Sequence, residues 1–257
     1  MSLSRSHLKR LRSLHSLKDR REQDAFLLEG EKLVREALLA AAPVRELLAT
    51  PDRVDALQAV ADEIPVLQIS STDATRIADA RTPQGVFAVV GGHVPEAEPA
   101  LRDLPAAGPL TVVVLDGVQD PGNAGALIRV AAAFEADLVL VGPGSADPTN
   151  PKVLRAATGA WFHVPLARSA DLPAALDALR AANCALLGAA GGGRPLHDAD
   201  VPARRALVFG GEGGGFSPAV ADRLELLVGV PIAAEVESLN VAVAAGILLS
   251  ELHRRDR

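Results

Sequence analysis

The chain has 257 residues, of which 49% are apolar, 23% are charged and 3% are aromatic. This length suggests one large domain or two small ones, and the apolar content is ample for a core. The few aromatic side chains argue against a stacking platform for single-stranded bases, and the single cysteine excludes a disulfide scaffold or a cysteine-rich metal site.

The same composition bears on location and on metals. The lone Cys184 fits a reducing compartment, and the basic N-terminus never reaches the apolar stretch of a signal peptide. We therefore expect a cytoplasmic protein that does not enter a membrane. The six histidines show no spacing typical of metal ligands, so we expect no metal.

The net charge of −6 is unevenly distributed, because residues 1–24 carry +4 and the remainder carries −10. The basic residues of this first segment are Arg5, Lys9, Arg10, Arg12, Lys18, Arg20 and Arg21. An acidic protein can still bind nucleic acid through a local positive segment. A solvated amphipathic helix would have the same composition, so the charge alone leaves both interpretations open.

Hydrophobic periodicity predicts alternating helices and strands in the N-terminal third of the chain. In chain order they are helix 6–21, strand 26–28, helix 31–42, strand 44–49, helix 52–61, strand 66–69, helix 71–80 and strand 85–90. This alternation is typical of a small α/β domain, which we place at residues 1–91. Residues 92–109 contain four prolines and several alanines, and we predict a linker there.

The second predicted domain, residues 110–257, opens with the β-branched run 111–115, which is typical of a central strand in a parallel sheet. Its other predicted elements are helix 124–134, strand 138–141, helix 152–158, strand 162–164, helix 172–182, strand 185–187, strand 206–209, helix 217–224, strand 226–230 and the C-terminal helix. This order predicts a parallel α/β sheet, and ligands bind such sheets at the carboxyl ends of the strands.

Two loops after predicted strands have unusual composition. In the first, we predict Asn123 as a helix N-cap, with Gly125 and Arg129 on one face of the helix that follows. A helix N-terminus with an arginine would suit a phosphate, although an ordinary helix start with a surface arginine has the same pattern.

The second loop, 210–215, has five glycines around Glu212. The Glu212 carboxylate would repel a pyrophosphate and suits a hydroxyl, an amino group or a cation better. The loop lacks both the dinucleotide and the P-loop patterns, and the alternative is a flexible surface loop.

The third loop contains Pro231 and leads through Ser238-Leu239-Asn240 into the apolar run 241–252. We predict Ser238 as the N-cap of the C-terminal helix. Almost no polar face remains on that helix, so we expect it to be buried on every side, in part by a partner subunit.

Together these motifs resemble those of the SpoU (TrmH-like) RNA ribose methyltransferases. The matches are N-x-G-x-x-x-R at Asn123, Gly125 and Arg129, G-x-E-x-x-G at Gly210, Glu212 and Gly215, and Pro231 with Ser238-Leu239-Asn240. The resemblance covers residues 110–257, including the segment 150–160. Residues 1–91 resemble the family's substrate-binding domain, which is similar to ribosomal protein L30.

The resemblance implies a parallel α/β domain with a C-terminal trefoil knot, and S-adenosylmethionine bound in the knot. The residues it places at this methyl donor are Gly210, Gly211, Val230, Ile232, Leu239 and Ala189. The residues it gives catalytic roles are Arg129, Asn240, Glu212 and Ser238. Arg129 would position an RNA phosphate and lower the pKa of the ribose hydroxyl, while the other three hold the ribose and the loops.

The resemblance also implies a homodimer formed through the C-terminal helix and chemistry without a metal. Asn123, Arg155 and the basic residues of 1–24 would contact the RNA. Ribosomal RNA is the leading substrate, by analogy with the L30-like domain, and transfer RNA is the alternative. A non-catalytic RNA-binding relative and a nicotinamide dehydrogenase are the competing classes of protein.

Overall fold

The computed structural model describes residues 3–61 and 63–257. The chain divides into two compact units, one formed by the residues up to His93 with Thr149–His163, the other by Val94–Pro148 with Val164–Arg257. No helix among the described residues combines the length and the hydropathy that a membrane crossing requires. The domain limits 1–91, 92–109 and 110–257 remain a prediction.

The first unit is built on a four-stranded mixed sheet. Its elements are α1 (Arg5–Ser13), α2 (Leu17–Gln23), β1 (Ala25–Glu29), α3 (Glu31–Leu39), β2 (Val44–Ala49), α4 (Val54–Gln58), β3 (Val66–Gln68), α5 (Ser71–Ile77), β4 (Val86–Gly91) and α8 (Pro151–Ala157). The strand order is β1-β4-β2-β3, in which β2 and β3 are parallel and the other pairs are antiparallel. Buried apolar residues cover both faces of this sheet.

The single helix predicted at 6–21 was wrong, because the chain turns between α1 and α2. Arg20 reaches back from α2, and its Nη1 donates to the carbonyl oxygens of Leu14 and His15 at 3.2 and 2.9 Å. These carbonyls lie just after α1, where a helix end leaves such groups without partners. The arginine therefore stabilises the turn from within the fold.

The strand predicted at 162–164 was also wrong. Residues Thr158–Phe162 form a 3-10 turn after α8, and the strand is β7, Leu166–Arg168. The Trp161 ring lies 5.3 Å from that of Phe26, centroid to centroid, within the apolar core of the first unit. Packing of these aromatic rings outweighs their preference for strands.

The second unit contains a six-stranded sheet in which every pair is parallel. Its elements are α6 (Ala97–Arg102), β5 (Leu110–Asp116), α7 (Pro121–Ala133), β6 (Leu138–Val141), β7, α9 (Leu172–Ala181), β8 (Ala185–Pro195), β9 (Arg204–Gly210), α10 (Pro218–Ala221), β10 (Leu226–Gly229) and α11 (Val241–Arg255). The strand order is β10-β8-β9-β5-β6-β7. Every residue of β5 is buried. The predicted parallel α/β sheet is confirmed.

The segment predicted as a linker contains α6, which packs against α9 in this unit. Pro99 lies in the first turn of α6. Backbone N–H groups there have no partner within the helix, so the absence of an N–H in proline costs no hydrogen bond. Alanines and leucines on the segment, among them Ala97 and Leu101, join the core beside the sheet. The proline-containing segment therefore includes a short packed helix.

The structure extends β8 to residues Ala185–Pro195, well beyond the predicted 185–187, and its register against β10 shifts part of the way along. Along β10, Leu227 pairs with Gly188 and the next residue, Val228, pairs with Arg194, so residues 189–193 bulge out of the ladder. A Cβ on Gly193 would lie 2.6 Å from the carbonyl carbon of Val228, and one on Gly229 would lie 2.7 Å from the carbonyl oxygen of Ala190. These two segments therefore approach each other to a distance that only glycine permits.

Candidate active site

A cavity of about 650 Å³ opens at the carboxyl ends of β8, β9 and β10. It is lined by all six residues predicted to contact a methyl donor, which are Ala189, Gly210, Gly211, Val230, Ile232 and Leu239. Glu212, Ser238 and Asn240 also lie on its wall. Its volume is in the range of pockets that enclose a drug-sized or nucleoside-sized molecule.

A chain of side-chain hydrogen bonds connects the three motif loops beside this cavity. Asn240 Nδ2 donates to Asn123 Oδ1 at 2.8 Å, and Asn123 Nδ2 donates to Glu212 Oε1. Asn240 Oδ1 accepts from the backbone N–H groups of Ala242 and Val243 at the start of α11. Asn123 therefore bridges the second and third loops, which fixes three polar side chains relative to one another.

Both predicted N-caps were wrong by a few residues. Asp120, rather than Asn123, caps α7, and its Oδ1 accepts from Asn123 N at 2.8 Å. Pro121 occupies the first helical position, where its fixed φ is already helical. Asn240, rather than Ser238, caps α11. The amide of Asn123 is thus available for the bridge, and Ser238 is an exposed side chain on the cavity wall.

The sequence interpretation missed Asp116, which ends β5 and is 6% exposed. Its carboxylate accepts from Ser217 N at 2.7 Å and from Ser217 Oγ at 3.2 Å, so it holds the far end of the glycine-rich loop. The sequence signal that could have identified Asp116 is the Asp-Gly pair directly after the β-branched run 111–115. An aspartate at a strand end that is otherwise apolar indicates such a contact.

The glycine-rich loop is close-packed at its start, at Gly210 and Gly211, and open at Gly213, Gly214 and Gly215. A Cβ on Gly210 would lie 2.6 Å from the carbonyl oxygen of Gly215, and one on Gly211 would collide with the carbonyl oxygen of Gly117. Gly211 and Gly215 also exchange backbone hydrogen bonds at 3.1 and 3.0 Å. These contacts fix the two ends of the loop, and its glycines line the cavity.

Arg129 is not brought to the wall of any cavity described here. It is exposed on α7, and within residues 3–61 and 63–257 it makes neither an ion pair nor a hydrogen bond. Helix α7 packs against α11, whose first residues border the cavity. The structure therefore unites Asn123, Glu212, Ser238 and Asn240 and leaves Arg129 free to bind an external anion.

The predicted RNA contacts fall into two groups. Arg5, Lys9, Arg12 and Arg21 are exposed, with no ion pair in the described part of the chain. Arg10 pairs with Glu46, Lys18 lies 3.7 Å from Glu22, and Arg155 Nη2 donates to Asp79 Oδ2 at 2.6 Å.

The prediction that Arg20 contacts the RNA was wrong. It is 5% exposed, and its Nε donates to Thr149 Oγ1 at 2.9 Å in addition to the carbonyls described above. A guanidinium buried on internal acceptors is not available to a phosphate. Arg20 is therefore a structural residue of the first unit.

No group of three or more His, Cys, Asp and Glu side chains in the described part of the chain is placed to hold a metal ion. The donors around the cavity are instead backbone amides, asparagine amides and a serine hydroxyl. A parallel sheet with such a cavity at its strand ends is the arrangement in which α/β proteins bind nucleotide-like cofactors.

Comparison with known proteins gives the family. The chain belongs to the SpoU rRNA Methylase family, whose model matches residues 110–250. Residues 5–88 match the MRM3-like substrate binding domain. Family membership confirms the resemblance stated above and the predicted class of enzyme, an RNA methyltransferase.

Similar proteins extend over the whole chain. The Bacillus subtilis protein named 23S rRNA (guanosine(2553)-2'-O)-methyltransferase RlmP is 36% identical over 252 residues, covering 98% of this chain and 97% of that protein. An AdoMet-bound rRNA methyltransferase from Sinorhizobium meliloti superposes with a TM-score of 0.86 at 29% identity, covering 99% of this chain and 97% of that one. The SpoU methyltransferase AviRb from Streptomyces viridochromogenes, in complex with AdoMet, has a TM-score of 0.84 at 27% identity, covering 98% of each chain.

Proposed function

We propose that this protein transfers a methyl group from S-adenosylmethionine to a ribose 2′-hydroxyl of 23S ribosomal RNA. The observation that carries the proposal is the hydrogen-bonded series Glu212–Asn123–Asn240 on the wall of the cavity lined by the six predicted cofactor residues. The names of the similar proteins, RlmP above all, support the ribosomal substrate.

The residues of the cavity fit S-adenosylmethionine. Val230 and Leu239 offer apolar side chains to a purine, and the closely packed glycines at 210 and 211 offer backbone groups where a side chain would not fit. No arginine or lysine lines the cavity, which suits a cofactor that carries a sulfonium and no phosphate. When bound, this cofactor supplies an electrophilic methyl group.

The chain's own residues would orient the nucleophile. A ribose hydroxyl is a poor nucleophile until its proton is drawn away. Glu212, Ser238 and Asn240 would hold the ribose and the loops, and Arg129 would bind an adjacent RNA phosphate. The guanidinium stays protonated at neutral pH, so Arg129 acts by positioning and by placing positive charge near the developing oxyanion.

The trefoil knot is part of the proposal. The bulge at 189–193 approaches residues 228–229 so closely that glycine is required on both sides. A chain segment drawn through such a loop would produce this contact. Knots are rare in proteins, and the support for this one is the close approach of the two segments together with the family match.

We also propose a homodimer formed through α11. Val243 and Ile247 are 52% and 45% exposed in the first part of that helix, residues 241–249, which contains no polar side chain. This exposure of Val243 and Ile247 agrees with the expectation that a single chain does not cover every side of the C-terminal helix. A partner subunit would cover these side chains and bring a second Arg129 into the assembly.

The first unit would bind the RNA around the target. Its match to a substrate binding domain supports this role. Arg5, Lys9 and Arg12 lie on one face of α1 at helical spacing, and their charges are not neutralised by neighbouring carboxylates in the described chain. They would contact phosphates without reading sequence.

The test is to incubate the protein and S-adenosylmethionine with unmodified transcripts of 23S rRNA and of bulk transfer RNA, and to map 2′-O-methyl positions. We expect one ribose of the 23S transcript to be modified. Modification of transfer RNA alone would show that the alternative substrate is the correct one. Binding of RNA without any methylation would indicate a non-catalytic relative.

A further inference from the structure

A second cavity, of about 610 Å³, lies next to the first and shares four lining residues with it. The shared residues are Gly211, Glu212, Gly215 and Phe216. Its remaining wall comes from the end of β5 and the loop after it, from the starts of α7 and α10, and from Pro143 and Gly214. A ligand in this second cavity would therefore border the space assigned to the methyl donor.

The charged side chains that line this second cavity are carboxylates, those of Asp116, Asp120 and Glu212. Asp120 and Glu212 line it together with the amides of Gln119 and Asn123, and no lysine or arginine does. Asp120 uses Oδ1 to cap α7, and Glu212 uses Oε1 to accept from Asn123. In the described chain, the second oxygen of each of these two carboxylates has no hydrogen-bond partner. Such a wall repels a phosphate and favours a neutral group that carries N–H donors.

We propose that this cavity binds the base of the target nucleotide and selects guanine through Asp120, an inference that rests on the proposed function. Glu212 lines both cavities, so the ribose would lie at their boundary, while Asp120 lines only the second cavity and would meet the base. Guanine presents N1–H and an N2 amino group side by side. The Asp120 carboxylate can accept both, one at the free Oδ2 and one at the second lone pair of Oδ1, whose other lone pair accepts from Asn123 N. Adenine and cytosine each present one donor beside an acceptor nitrogen, and uracil presents one donor between two carbonyls.

This assignment agrees with how proteins read RNA. Unstacked bases are recognised by hydrogen bonds to their Watson–Crick edges, and enzymes that act on a nucleotide commonly draw it out of its stack. The name of RlmP specifies a guanosine target. The free carboxylate oxygen of Asp120 and its place beside the boundary of the two cavities suit it to this role.

The test compares guanosine with inosine at the mapped target position of a short 23S rRNA fragment, because inosine lacks only the N2 amino group. We expect the protein to prefer guanosine by about tenfold in kcat/KM, as one charge-assisted hydrogen bond allows. In Asp120→Asn the ratio should fall to about one. Asparagine and serine are both good N-caps, so Asp120→Ser gives a second folded variant in which the same loss is expected.

Asp103→Asn serves as the control, because Asp103 is exposed at the end of α6 and lines neither cavity. Its guanosine-to-inosine ratio should equal that of the unmodified protein. A full preference for guanosine retained in both Asp120 variants would overturn the inference while leaving ribose methylation intact. Absence of methylation on every RNA by the unmodified protein would overturn the proposed function and this inference with it.

Discussion

At the scale of single residues, the site depends on asparagine side chains that each donate and accept. Asn240 accepts two backbone N–H groups at the start of α11 and donates to Asn123, which in turn donates to Glu212. An amide has one donor end and one acceptor end, so this arrangement has a fixed direction. A carboxylate or hydroxyl at either position would reverse or break one of these bonds.

A pair of substitutions at Asn240 separates the structural role from the chemical one. Asn240→Asp keeps a good N-cap but cannot donate to Asn123, whereas Asn240→Ala loses both contacts. We expect Asn240→Asp to retain its thermal midpoint and to lose about tenfold in methylation rate. Asn240→Ala should lose about 1 kcal/mol of stability as well. Full activity in Asn240→Asp would mean that the bridge is dispensable.

Arg129 has no internal partner in the described chain, so its removal should leave the fold unchanged. We expect Arg129→Ala to bind S-adenosylmethionine normally and to lose about 100-fold or more in methylation, because charge placement near the oxyanion is lost. Calorimetry and a methyl-transfer assay measure the two effects. Arg102→Ala, which removes an exposed arginine paired with Glu98, is the matched control. Normal turnover by Arg129→Ala would refute the catalytic assignment.

At the scale of secondary structure, periodicity and strand composition identified nearly every element, whereas the ends of elements depended on tertiary contacts. The break between α1 and α2 follows from Arg20, and the 3-10 turn after α8 follows from Trp161 packing on Phe26. Neither contact is visible in a local window of sequence. The two N-caps were misplaced because several polar residues near each helix start could act as the N-cap, and the sequence alone does not select one.

Helix α1 provides a test of RNA binding. Arg5→Ala, Lys9→Ala and Arg12→Ala together should reduce the slope of log affinity against log salt by about 2 to 3, since each lost phosphate contact removes about 0.7 to 0.9. Filter binding at several salt concentrations measures this slope. The control replaces Arg35, Arg102 and Arg180, each paired with a carboxylate on its own helix. An equal change in both triple variants would argue against a specific role for α1.

The last turns of α11 carry a charge cluster that depends on pH. Hydrogen bonds from Arg254 and then Arg255 lower the pKa of Glu251 from 4.5 to about 2. A lowered carboxylate pKa stabilises the fold above the ordinary value, and this contribution is lost as pH falls from 4.5 towards 2. The difference in thermal midpoint between the unmodified protein and Glu251→Gln should therefore narrow steadily below about pH 4.5.

The control for this measurement is Glu235→Gln, an exposed glutamate with no ion pair in the described chain. Its difference from the unmodified protein should stay constant over the same pH range. A constant difference for Glu251→Gln would show that the two arginines do not stabilise the ionised carboxylate.

At the scale of the whole molecule, the family resemblance predicted which residues line one cavity. The chemistry of the individual residues did not, because each loop considered alone also allowed an ordinary structural role. Six positions from three loops, far apart in sequence, line the same space. The parallel sheet explains why, because the carboxyl ends of its strands lie on one edge. The bulge in β8 and the second cavity could not be predicted, since both depend on how the loops after several strands pack together.

The proposed assembly is tested by introducing charge on α11. Val243→Asp with Ile247→Asp should convert a dimer into a monomer and abolish methylation, because a buried unpaired carboxylate strongly opposes association. Light scattering gives the mass directly. Leu39→Asp, at an apolar side chain that is 79% exposed in the first unit, should leave the dimer intact. A variant that stays dimeric would exclude α11 as the interface.

The most direct test of the whole account is calorimetric titration of S-adenosylmethionine and of NAD into three proteins. The first is unmodified, the second carries Ala189→Trp inside the cavity, and the third carries Ala219→Trp on the exposed start of α10. We predict that S-adenosylmethionine binds the first and third proteins and not the second, and that NAD binds none. Undiminished binding of S-adenosylmethionine by Ala189→Trp, or binding of NAD instead, would contradict the account.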